Sequence, residues 1–137
     1  MKTHTTNYVK AFISVAEDCP ISKAEIPPSK GDKKSIANIH YDIISKNPYL
    51  YTSDDVVFQV YAEKNDLIES EYSEVRAEFF SKGQACLRCS PLVKRYGWGI
   101  HHDSEGKIAL IAKGSSEYEK FQEDKNLKQL KGMRSKR

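Results

Sequence analysis

The chain has no apolar run long enough to cross a membrane. Its most hydrophobic stretch is Ile108-Ala109-Leu110-Ile111-Ala112, against the roughly 20 residues a spanning helix needs. The first residues, Met1-Lys2-Thr3-His4-Thr5-Thr6-Asn7, contain no apolar segment. No secretory leader is therefore expected, and the cytoplasm is the expected compartment. Cysteine is scarce: Cys19, Cys86 and Cys89 are the only three. An odd number of thiols in that compartment argues against a disulfide framework and for reduced side chains. Acid is missing beyond residue 124, where Lys125, Lys128, Lys131, Arg134, Lys136 and Arg137 stand alone. Against a chain total of +3, these six cations leave a net −3 on residues 1–124. Complete catalytic, cofactor and metal signatures are also missing, and internal repeats are absent.

What is present suffices for an ordinary core. A chain of 137 residues is about one domain, large enough to fold without staples. Five Phe, eight Tyr and one Trp supply large core pieces. A charged fraction of 30% is high, but 10% aromatics set the composition apart from that of disordered chains.

The pattern along the chain predicts an α+β fold. Residues 7–15 read as a strand, with β-formers Tyr8, Val9, Phe12, Ile13 and Val15. Pro20, Pro27, Pro28 and Gly31 make residues 17–33 a long polar connection, a length often tied to function. Ile36, Ile39 and Ile43 recur at helical spacing over 34–46, with Asp32 as a cap and Asn47-Pro48 as the stop. Thr52-Ser53-Asp54-Asp55 reads as a helix start, although Val56-Val57-Phe58-Gln59-Val60-Tyr61 is β-rich and leaves a strand open. A further helix is predicted over 67–82, with Asp66 and Glu69 at its start and Gly83 as its stop. Residues 96–102 and 107–113 flank the turn Asp103-Ser104-Glu105-Gly106 and predict a β-hairpin. Ser115 or Ser116 begins a short helix carrying Tyr118 and Phe121. The expected architecture is a small antiparallel sheet, including this hairpin in the C-terminal half, packed against several helices on one face. Residues 1–124 form the expected globular domain and 125–137 a basic tail.

Chemistry-bearing residues concentrate in 82–103. Cys86-Leu87-Arg88-Cys89 has C-x-x-C spacing, but zinc needs two further ligands. His101 and His102, adjacent on a strand, point to opposite faces. A redox pair of the usual kind opens a helix after a strand, whereas here a helix precedes the motif. Buried, inert thiols are the simpler expectation, and no metal site is assigned. Asp54-Asp55 fits a helix first turn better than a cation site. Lys30-Gly31-Asp32-Lys33-Lys34 lacks the spacing of a phosphate loop.

The stretch 88–101 differs in kind. Arg88, Lys94 and Arg95 lie close in sequence to Tyr96, Trp98 and His101. Guanidinium forks hold phosphate or carboxylate, and rings stack on planar groups, so these six are the candidate binding site for a small anionic or planar ligand. Gly97 and Gly99 beside the only Trp allow a close approach by a ligand or another backbone. A second reading stands beside it: Tyr96, Trp98 and Ile100 form the inward face of a half-buried strand, and the site is ordinary core.

The residues from Lys82-Gly83-Gln84 through Cys86-Leu87-Arg88, Ser90-Pro91-Leu92, Lys94-Arg95-Tyr96-Gly97-Trp98-Gly99 and His101 resemble the signature of a bacterial family of uncharacterised proteins. Gly106-Lys107-Ile108-Ala109-Leu110, Phe12-Ile13-Ser14-Val15-Ala16-Glu17-Asp18-Cys19-Pro20, Pro27-Pro28, Thr52-Ser53-Asp54-Asp55-Val56 and Met133-Arg134-Ser135-Lys136-Arg137 extend the resemblance over nearly the whole chain. It implies a stand-alone bacterial domain and no particular activity or cofactor. The resemblance associates a small residue, commonly Ala, with the position of Cys89, which makes the C-x-x-C peculiar to this sequence and weakens a metal or redox role.

Three functional readings follow. The first is a small-ligand-binding domain, with or without catalysis. The second is a nucleic-acid or protein interaction module using the basic tail, whose affinity would fall steeply with salt. The third is a homodimer formed through the Tyr/Trp hairpin, against a monomer as the alternative state.

Overall fold

The strand expected near the N-terminus is β1, Ala11–Ser14, and all four of its residues are buried. It lies inside the sheet, between β2 (Trp98–His102) and β4 (Lys128–Lys131), with β3 (Ile108–Ala112) beyond β2. The structure is a computed structural model and describes residues 3–29, 31 and 34–135. Five helices complete it: α1, Ile36–Lys46; α2, Ser53–Lys64; α3, Glu69–Phe79; α4, Pro91–Lys94; and α5, Ser116–Glu123.

The α+β expectation holds, with two corrections. The sheet is mixed: β1 runs antiparallel to β2 but parallel to β4. Both of its faces are covered. Ile13, Ile100 and Ile108 pack with Ile44 of α1, Val56 of α2 and Val93 of α4. Phe12 and Ile111, on the opposite face, pack with Tyr118 of α5. The segment read as a basic tail supplies β4, so part of it lies within the sheet; its last two cations, Lys136 and Arg137, lie outside the described residues. As an edge strand, β4 carries Lys128 and Lys131, charges that discourage pairing with another chain.

Local chemistry explains the helix starts. Ser35 caps α1, with its hydroxyl accepting from the Asn38 N–H; the expected cap Asp32 lies outside the described residues, as do Lys30 and Lys33. Thr52 caps α2, and the Asp55 carboxylate accepts from the Thr52 N–H in return. This box starts a helix despite the β-rich run behind it. Val56 is buried toward the sheet, whereas Phe58 and Ala62 are buried toward α3. Burial on two sides removes the amphipathic signal that would have marked this helix. The α3 expectation is corrected at both ends. Ile68, not Asp66, is the cap residue, with its N–H bonded to the Glu71 carboxylate at 3.0 Å. The helix stops at Phe79, short of Gly83. Pro91 begins α4, where a missing N–H costs nothing, and Ser90 caps it.

The hairpin forms as expected, with Trp98 opposite Ala112 and His102 opposite Ile108. Gly97 takes φ +77°, and a side chain there would crowd the Ala24 backbone at 3.1 Å. The close approach is thus made by the 17–33 connection. A Cβ on Gly99 would lie 2.7 Å from the Phe12 ring and 2.9 Å from the Tyr118 ring, so glycine makes room for that aromatic pair.

Candidate functional site

A cleft of about 560 Å³ lies among α1, α2 and α3. Asp55, Gln59 and Glu63 stand four residues apart and line the α2 side. Tyr72 and Arg76, also four apart, line the α3 side. Residues at that spacing share a helix face, so each helix presents a row to the cleft. The Phe58 and Tyr72 rings meet edge-to-face, with centroids 5.7 Å apart. An Arg76 amino group bonds Asp55 Oδ1 at 2.9 Å, and its guanidinium sits 5.7 Å from the Phe58 ring and 5.5 Å from the Phe80 ring. Burial alone would raise the Asp55 pKa; the Thr52 N–H and the Arg76 guanidinium outweigh it and hold the carboxyl below its ordinary range. The result is a cleft with ring walls and a charge pair in its lining.

A second cavity, about 470 Å³, opens on the other side of α2 and is lined by His40, Val57, Tyr61, Cys86, Cys89 and Ser90, among others. Its polar centre is a buried hydrogen bond of 2.8 Å between His40 Nδ1 and Ser90 Oγ. Burial pushes the His40 pKa down to about 4, so the ring is neutral at physiological pH. Ser90 Oγ also accepts from the Leu92 N–H at 3.2 Å. One hydroxyl thereby caps α4 and holds α1 against it.

None of the six residues singled out in the sequence lines either of these two cavities. Arg88 Nε donates to the Lys131 carbonyl at 2.7 Å and ties 87–89 to β4. Lys94 ends α4, and Arg95 follows it on the surface. The Tyr96 carbonyl accepts from the Glu25 N–H at 2.9 Å. Trp98 Nε1 donates to the Glu25 carbonyl at 2.8 Å, and its ring packs on Tyr41. His101 is on the opposite face of the sheet, stacked on Phe121 at 4.2 Å, with Nδ1 2.8 Å from the Tyr49 hydroxyl. Burial lowers its pKa, against the charges of Asp103 and Asp124. Trp98 and His101 therefore serve different layers. The pairing of cation with rings that the hairpin suggested is found at Arg76, Phe58 and Phe80.

His102 is fully buried, and neither ring nitrogen has a hydrogen-bond partner. It packs edge-to-face on Tyr8. Among the described residues, no cluster of three or more His, Cys, Asp or Glu could hold a metal ion. No described helix is long and apolar enough to cross a membrane.

Fold and cleft together define an α+β domain with a four-stranded mixed sheet and a helical layer that opens into a pocket. The chain belongs to DUF6157, a family of unknown function, whose family model matches residues 3–137. No curated protein and no solved structure matches it.

Proposed function

We propose that this is a small-molecule-binding domain whose ligand is planar, carries hydrogen-bond donors and sits in the cleft among α1, α2 and α3. The observation that carries this reading is the convergence of Tyr51, Phe58 and Tyr72 with Asp55, Gln59, Glu63 and Arg76 around one 560 Å³ space. The charge balance narrows the ligand. Two carboxylates face one guanidinium, and that guanidinium is already paired. A neutral or cationic planar group fits this wall better than an anion does. The setting we propose is the cytoplasm of a bacterium, on the sequence resemblance and the three free thiols. The nucleic-acid reading has less behind it, because Lys131 is paired with Glu17 at 2.8 Å and Lys128 lies over the Tyr8 ring.

Thermal-shift measurements with free nucleobases, aryl amines and benzamidine test this, with nucleoside phosphates and benzoate as anionic contrasts. A ligand at a hundred times its Kd adds about 2.7 kcal/mol of stability. That shift should appear with the uncharged or cationic compounds and vanish in Tyr72→Ala. Failure of every compound to shift the transition, or a shift confined to anions and retained in Tyr72→Ala, would overturn the reading.

A further inference from the structure

Cys86 and Cys89 bracket a single 3-10 turn, Leu87–Cys89, closed by a 3.0 Å bond from the Cys89 N–H to the Cys86 carbonyl. Cys86 immediately precedes that turn and Cys89 is its third residue. Ser35 and Asn38 hold the same relation at the start of α1, and there the two side chains meet at 2.8 Å. Thr52 and Asp55 repeat it at the start of α2, each side chain reaching back to the other residue's backbone. At those two starts the side chains three residues apart reach each other's residue; Cys86 stands at the same place before its turn but makes no cap bond, its sulfur being held by Tyr8 instead. Cys86 and Cys89 both line the second cavity.

The two sulfurs differ in a way that suits sequential chemistry. Cys89 is exposed and Cys86 is half-buried. The Tyr8 hydroxyl donates to Cys86 Sγ at 3.5 Å, so the inner sulfur is held in place. Cys19 is on the other face of the sheet, against the Phe12 and Tyr118 cluster, and takes no part.

We propose that Cys86 and Cys89 form a reversible intramolecular disulfide with a small-molecule disulfide as oxidant. The Cys89 thiolate attacks one sulfur of the oxidant, forming a mixed disulfide and releasing one thiolate. The Cys86 thiolate then attacks the Cys89 sulfur, closing the protein bridge and releasing the second thiolate. The protein loses two electrons and two protons, and the oxidant becomes two thiols. The bridge forms in the wall of the cavity that holds His40 and Ser90, and it is independent of any ligand in the cleft beside Arg76.

The test equilibrates the full chain in glutathione buffers from fully reduced to fully oxidised, followed by acid quench, alkylation and tryptic mapping by mass spectrometry. Trypsin cuts after Arg88, between the two cysteines, so the bridge appears as residues 83–88 linked to 89–94. The expected result is that linked pair, with Cys19 alkylated throughout, and complete loss of the link in Cys89→Ala. The proposal is overturned by stable glutathione adducts on both cysteines in place of the link, by links to Cys19, or by free thiols across the whole series.

Discussion

On one side of α2, Asp55 and Arg76 keep their charges, with side chains 32% and 39% exposed. On the other side, His40 and Ser90 are buried and the imidazole is neutral. The first pair is partly solvated, and Asp55 also accepts from the Thr52 N–H. The second meets the cost of burial by giving up charge and sharing one hydrogen bond. A solvated ion pair of this kind contributes about 0.2–1 kcal/mol, whereas leaving a buried polar group unpaired costs about 1–3 kcal/mol. The charged wall can therefore face a ligand and vary, while the neutral pair works as a fixed strut between α1 and α4.

The largest effect should come from removing the residue that backs the charged wall. Phe58 is 2% exposed and packs on the rings of Tyr72 and Phe79. Phe58→Ala should cost about 3–5 kcal/mol by chemical denaturation. A loss below about 1 kcal/mol would show that the α2–α3 layer is loosely packed, and the cleft would then have no fixed shape to compare with the neutral side.

How much of this was readable from the chain depends on where the signal resides. The caps of α2 and α5 and the 96–113 hairpin follow from neighbouring residues, and they appear where local chemistry puts them; α1 is capped by Ser35 rather than by the expected Asp32. β4 does not. Lys128-Gln129-Leu130-Lys131 offers only Leu130 as an inward residue, and its parallel pairing with β1 spans most of the chain. Such a contact leaves no local trace. The candidate site divides in the same way. Asp55, Gln59 and Glu63 form a polar row at helical spacing that could have been noticed in the sequence. Arg76, on another helix, carries no hint of its partner. The hairpin cluster contained its own contradiction: Trp98 and His101 are an odd number of residues apart, so a strand must place them on opposite faces.

The neutral side is sharpened by pH. The folded-state pKa of His40 is depressed to about 4 by burial, below the ordinary 6.5. Its contribution is intact above pH 6.5, and it is lost as pH falls toward 4, because the unfolded chain binds the proton first. The slope in that window rises to about 1.4 kcal/mol per pH unit for each such group. His102, displaced to about 4 chiefly by the same cause, adds a second. Between pH 6.5 and 5, His40→Gln should therefore lose stability less steeply than the parent chain, by about 1 kcal/mol per pH unit on average, since the unfolded ring is only half protonated at the upper end. Equal slopes would mean that His40 carries a proton in the fold, and the contrast across α2 would collapse.

The smallest effect belongs to the charged side. A double-mutant cycle with Asp55→Asn and Arg76→Gln isolates the pair from the bond that Asp55 also makes to the Thr52 N–H. The coupling should be about 0.2–1 kcal/mol at low salt and fall toward zero in molar salt. Acid should remove it as well. With the Asp55 pKa held below its ordinary 3.8, the pair's stabilisation is complete above that value and is lost as pH falls through the lower, folded one. A coupling of about 3 kcal/mol or more, insensitive to salt, is the behaviour of a desolvated pair. Asp55 and Arg76 would then be a structural strut like His40 and Ser90, leaving Gln59 and Glu63 to supply the polar contacts of the α2 side.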